Sequence, residues 1–212
     1  MTTTANPVPA NPVPANPGPG TRRATALPSA RVGALVAGTA LLVMTVLAPV
    51  GVLLLDRGQA VPGGLLFALV ACLDVTIGLA LLPLTLPAGR RLALVAALAR
   101  VLAGLALLVA AGFAVAGRVA TFQDVWDVSL LVFGVHLLAL GWLLARSGPA
   151  PAWVGWLVAL AGAGYAVDAV ADVVALLGGP AGAPTISLVT FVGELVLMVW
   201  LLARGGRPAP SA

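Results

Sequence analysis

The sequence predicts an all-α fold: a polytopic integral membrane bundle of six transmembrane helices with both termini cytoplasmic. Three observations predict it. Six apolar stretches of bilayer-crossing length fill nearly all of the chain after residue 30. Hydrophobic residues make up 61% of the 212 positions and charged residues only 8%, against roughly 25% charged in soluble domains. The stretches are continuously apolar rather than alternating in short segments, which excludes the strands of a membrane barrel.

Residues 1–30 form a tail of their own. ANPVP, ANPVP and ANPGP succeed one another from Ala5, and such proline density removes backbone donors and favours extended polyproline II over a packed element. Residues 31–204 form the membrane domain, and 205–212 (GGRPAPSA) a second, disordered tail. Within the membrane domain the spans run Val32–Leu55, Gly64–Leu86, Leu92–Ala116, Asp127–Ala145, Ala152–Leu177 and Ile186–Ala203. Each approaches or exceeds the roughly 20 residues that cross a hydrocarbon core of about 30 Å. Pro49 and Pro83 fall near span ends, where a local kink is expected.

Arginine placement sets the orientation. Arg22, Arg23, Arg31, Arg90, Arg91, Arg146, Arg204 and Arg207 all fall on one face if the spans alternate, whereas the other face has only Arg57 and Arg118 together with Asp56, Asp124 and Asp127. By the positive-inside rule the arginine-rich face is cytoplasmic. Trp142, Trp153, Trp156 and Trp200 lie toward that face and Trp126 toward the other, in keeping with amphipathic rings at headgroup depth. The net charge of +4 is therefore topology information and not a nucleic-acid patch. The chain has no lysine, which excludes Schiff-base chemistry, and its one cysteine, Cys72, permits no intramolecular disulfide.

The candidate site consists of Asp74, Arg100, His136, Tyr165, Asp168 and Glu194. An ionisable side chain at membrane depth has to be paired, protonated or wetted. Counting 1.5 Å per residue puts Asp74, His136, Asp168 and Glu194 roughly 12–15 Å below the outer face, with Arg100 roughly 10 Å nearer the cytoplasm. From there Arg100 can snorkel to the interface or reach the carboxylates. Tyr165, Asp168 and Asp172 are spaced i, i+3, i+7 and share one helix face. Four carboxylates, Asp74, Asp168, Asp172 and Glu194, face one arginine, so protons, water, a metal ion or a cationic ligand must offset the remainder.

Several chemistries lack their parts. A histidine-based zinc site wants more than one histidine, bis-histidine haem is impossible with His136 alone, and neither a phosphate loop nor a nucleophile elbow is present. Ser129 and Ser187 lie too near their span ends for a triad with His136. No metal or cofactor is expected.

From the fourth span onward the runs FGVHLLALGWLLARSG, WVGWLVALAGAGYAVDAV and FVGELVLMVWLLARGG resemble a bacterial membrane family, the domain-of-unknown-function family numbered 4386. Gly134 and His136 match its Gly-x-His-Leu-Leu span, which ends at Arg146, Ser147 and Gly148. Gly164, Tyr165 and Asp168 match its Gly-Tyr-x-x-Asp span, and Gly193, Glu194 and Trp200 its final one. Asp74 and Arg100 fit more loosely. The first outer loop is shorter than the family's, and the proline-rich tail lies outside the likeness. The resemblance implies six spans and no established activity.

Three functions fit. The foremost is a proton-coupled transporter of a small solute in the cell membrane, with Asp168 and Glu194 carrying protons and His136 relaying them. The second is a scaffold or sensor whose polar cluster only specifies helix packing. The third, least favoured, is an intramembrane enzyme acting on a lipid. The expected partners are the lipid bilayer, an unidentified small-molecule ligand and, as a further assembly the sequence allows, a homo-oligomer.

Overall fold

The computed structural model describes residues 29–147, 150–179, 186 and 191–207. The proline-rich repeats and the last five residues therefore lie outside the described residues. Every regular element described is a helix. In chain order these are α1 (Ala30–Asp56), α2 (Ala60–Ala80), α3 (Leu82–Thr85), α4 (Arg90–Val115), α5 (Val119–Ser147), α6 (Ala152–Leu176) and α7 (Val192–Ala203). Five segments are long and apolar enough to cross a membrane: α1, α2 with α3, α4, α5 and α6. Over its 12 described residues α7 rises only about 18 Å. Part of the expected sixth span, 187–190, lies outside the described residues, and Ile186 is helical.

Local chemistry explains most boundaries. Ser29 caps α1, its Oγ accepting the Val32 amide at 3.3 Å. The helices α1, α4 and α6 stop at Gly58, Gly117 and Gly178, whose φ values of 75°, 77° and 89° suit a residue without Cβ. At each, paired amide bonds reach back to the last turn, as Gly58 does to Leu55 and Gln59 to Leu54, closing a Schellman motif. Pro83 falls at the start of α3 and explains why the second expected span is split at Leu81, since proline cannot donate into the preceding turn. Pro49, by contrast, stays inside α1.

The fourth span begins eight residues before its expected start at Asp127. Hydropathy sees a polar segment at Gln123–Asp127, yet the backbone is already helical there. Phe122 and Trp126, one turn apart, hold it down. They meet Phe67 of α2 with ring centroids 4.9 Å away in each case, and Phe122 is fully buried.

The helices pack as a ring. In turn α1 meets α2, α2 meets α4, α4 meets α5, α5 meets α6, α6 meets α7, and α7 closes back on α1. The arginine-rich end of the ring is tight. Arg31 of α1 donates three hydrogen bonds to the end of α7, to the carbonyls of Leu201 (3.1 Å), Leu202 (2.8 Å) and Gly205 (2.9 Å). It thereby satisfies orphan acceptors where the helix dipole is negative. Between α5 and α6, Gly134 faces the Gly162 carbonyl and Gly141 the Gly155 carbonyl, small residues seven apart that let backbones touch. A hydrophobic core including Leu137, Leu140, Leu144, Val154, Leu197 and Leu201 fills this half. Trp142, Trp153 and Trp156 stand exposed around it, whereas Trp200 is buried and serves packing rather than the headgroup belt.

Candidate functional site

The six candidate residues separate into two groups. The first is a lock between α2, α4 and α5 made by Asp74, Arg100 and His136. Gly104 makes it feasible, because a Cβ there would crowd Asp74 Cβ at 3.0 Å and the Ala71 carbonyl at 3.1 Å. Of the two courses open to Arg100, it takes the inward one: Nη2 lies 2.7 Å from Asp74 Oδ1. Nη1 lies 3.2 Å from His136 Nε2, and His136 Nδ1 lies 2.8 Å from the Ala96 carbonyl. A carbonyl can only accept, so the partners assign the proton to Nδ1 and leave Nε2 to accept from the guanidinium. The guanidinium also sits over the Phe133 ring, 4.9 Å from its centroid. Arg100 and His136 are 0% and 1% exposed. The Asp74 contact is an ion pair by distance but is off the angle of a directed hydrogen bond. Arg100 Nε likewise finds no acceptor, so the lock keeps unused donor capacity.

The second group, Tyr165, Asp168 and Glu194, borders a cavity of about 520 Å³ at the centre of the ring. All six ring helices line it. Its deep end holds Asp74, Tyr165, Asp168 and Glu194, and it extends to the acidic end of the bundle at Gln123, Asp127 and Asp172. Tyr165, Asp168 and Asp172 do share one face of α6, and that face is the cavity wall. Tyr165 stands edge-on to Phe133 at 5.1 Å. Its hydroxyl is within interaction range of the Glu194 carboxylate. Asp168 Oδ1 accepts the Ile186 amide at 3.0 Å.

Glu194 enters through local backbone structure. Gly193 lets α7 settle onto the Leu157 carbonyl of α6, and Glu194 occupies the first turn of α7, where the helix dipole favours a carboxylate. Its Oε1 is buried and has no hydrogen-bond partner. His136, by contrast, lies behind Phe133 and does not line the cavity. Sequence reasoning missed most of the wall. Thr45, Phe67, Trp126, Phe133 and Met198 come from four helices, and no spacing within one helix foretells that they meet. Thr45 and Met198 touch, with Oγ1 3.9 Å from Sδ.

The arrangement offers a cavity lined by carboxylates and aromatic rings. The Ser129 hydroxyl donates to the Trp126 carbonyl of its own helix at 2.7 Å. Among the described residues no three His, Cys, Asp or Glu side chains gather closely enough to hold a metal ion.

The model of the domain of unknown function DUF4386 matches residues 111–205. An uncharacterized protein of the archaeon Archaeoglobus fulgidus is 32% identical over 139 residues, covering 66% of this chain and 81% of the relative. The chain belongs to the DUF4386 family. The stretch matched to DUF4386 contains His136, Tyr165, Asp168 and Glu194, and stops short of Asp74 and Arg100. No solved structure matches the chain.

Proposed function

We propose that this multi-pass membrane protein carries a small solute across the cell membrane in exchange for protons. In this reading six spans cross the bilayer, both termini are cytoplasmic and the cavity opens outward. One observation carries it: a cavity lined by every helix of the ring ends at a buried carboxylate, Glu194, with a hydrophobic core between it and the arginine-rich end. A carrier needs a central site closed on one side at a time, with half of the bundle rocking against the other. Glu194 and Asp168 carry the proton, and the Asp74–Arg100–His136 lock holds α2, α4 and α5 as one body. His136 then acts by packing rather than as a relay.

The test is access to Met198, which lines the cavity beside Thr45. The exposed native thiol, Cys72, is first removed as Cys72→Ala, and Met198→Cys is introduced. A membrane-impermeant maleimide is then applied to right-side-out and inside-out vesicles. A carrier is labelled from both sides. Labelling from the outer side alone means a fixed pocket, and the reading becomes that of a ligand sensor. No labelling from either side returns the polar cluster to a packing role, the scaffold reading.

A further inference from the structure

We propose that the cavity binds a lipophilic organic cation, an amine or a quaternary ammonium or phosphonium ion. This deepens the carrier reading by naming its solute class, and it rests on that reading only for the solute's movement, not for its binding.

Three independent features select this chemistry. The first is charge. Among the described residues, Asp74, Asp127, Asp168, Asp172 and Glu194 line the cavity, and no arginine or histidine does. The basic side chain nearby among the described residues, Arg100, does not line the cavity and is paired with Asp74 and His136. An anion would therefore meet carboxylates from the floor to the rim. The second is an unmet acceptor. Glu194 Oε1 is buried in the cavity wall without a donor, and leaving such an atom unsatisfied is costly unless a ligand or proton answers it.

The third is the wall itself. Phe67, Trp126, Phe133, Tyr165 and Phe191 line the cavity together with aliphatic side chains from α1 and α7. Aromatic faces attract cations, and most strongly where water is excluded. Phe133 already does so from its other neighbour, carrying the Arg100 guanidinium 4.9 Å from its centroid. A strongly hydrated inorganic ion would gain little from such a surface, whereas a cation wrapped in hydrocarbon is matched by both the wall and the floor. The volume, about 520 Å³, lies within the roughly 300–1,000 Å³ of small-molecule sites.

A pair of ions of the same shape and opposite charge tests the inference. Tetraphenylphosphonium and tetraphenylborate are titrated against the full chain in nanodiscs of neutral lipid, with empty nanodiscs subtracted, following Trp126 in a background lacking the other tryptophans. Saturable binding of the phosphonium and none of the borate is expected, with affinity lowered about tenfold or more by Glu194→Gln. Equal binding of the two ions, or a Glu194→Gln affinity equal to that of the parent, would overturn the proposal. If Glu194→Gln does not fold, Ala48→Trp, which fills the cavity from α1, must abolish phosphonium binding, and retained binding overturns it. Failure here is separable from failure of the carrier reading. Two-sided labelling at Met198 without phosphonium binding removes this inference alone. Binding with one-sided labelling leaves a cation receptor and removes the carrier.

Discussion

Arg100 and Glu194 are both ionisable residues buried inside the bundle, and the structure gives them opposite kinds of neighbourhood. Arg100 is fully enclosed and held by Asp74, His136 and Phe133. Removing one member of a buried pair strands the other, at a cost of about 3–5 kcal/mol. Arg100→Met is therefore expected to lower stability by about that amount, and pairing it with Asp74→Leu should recover part of the loss, because an apolar pair leaves no stranded charge. Unfolding of the single and double variants in mild detergent measures both. Glu194 has no such partner at Oε1. Glu194→Gln keeps the shape and removes a desolvated charge, so its unfolding midpoint should stay at or above the parent's. A marked drop would mean that the carboxylate is a packing element after all, as the scaffold reading requires.

At the scale of elements, the small residues decide how close two helices come. A Cβ at Gly141 would overlap the Ala159 backbone, and one at Gly162 would meet the Leu138 amide at 2.7 Å. Gly141→Val should thus push α5 from α6 and cost about 1–3 kcal/mol by overpacking. Gly112 in α4 faces open space. Gly112→Ala should be neutral, or stabilising by up to about 1 kcal/mol through helix propensity. Thermal unfolding of the two variants side by side separates a packing glycine from an incidental one.

Helix identity was legible in the sequence because hydropathy reports burial in lipid directly, and α1, α4 and α6 begin and end within two residues of their expected limits. The start of α5 was not legible, since a helix can carry Gln123, Asp124 and Asp127 past the apolar limit when Phe122 and Trp126 anchor it. Shared depth brought Asp74, His136, Asp168 and Glu194 to notice. Depth says nothing of azimuth, so it could not tell that His136 turns toward α4 while Glu194 turns toward the cavity.

The whole molecule is asymmetric along its axis. At the arginine-rich end, Arg31 staples α1 to α7 and glycine contacts bring α5 onto α6. Toward the acidic end, Leu55, Phe67, Leu107 and Phe122 bind α1, α2, α4 and α5 into a separate core, and α6 and α7 face them across the cavity. In the proposed carrier, α6 and α7 are the pair that would have to move to change access to the cavity, with α6 held closely against α5 through glycine contacts. Only if α7 completes a sixth crossing does that pair form a membrane-spanning gate. Arg31 bonds directly to the Gly205 carbonyl at 2.9 Å, so the start of α1 and the end of α7 lie at the same end of the bundle, as the proposed six-span topology expects. Fluorescent-protein fusions, which mature in the cytoplasm but not after export through the general secretory route, should therefore light up at the N-terminus and at the C-terminus alike. Fluorescence at one end only would break the ring at α7 and remove the gate from the mechanism.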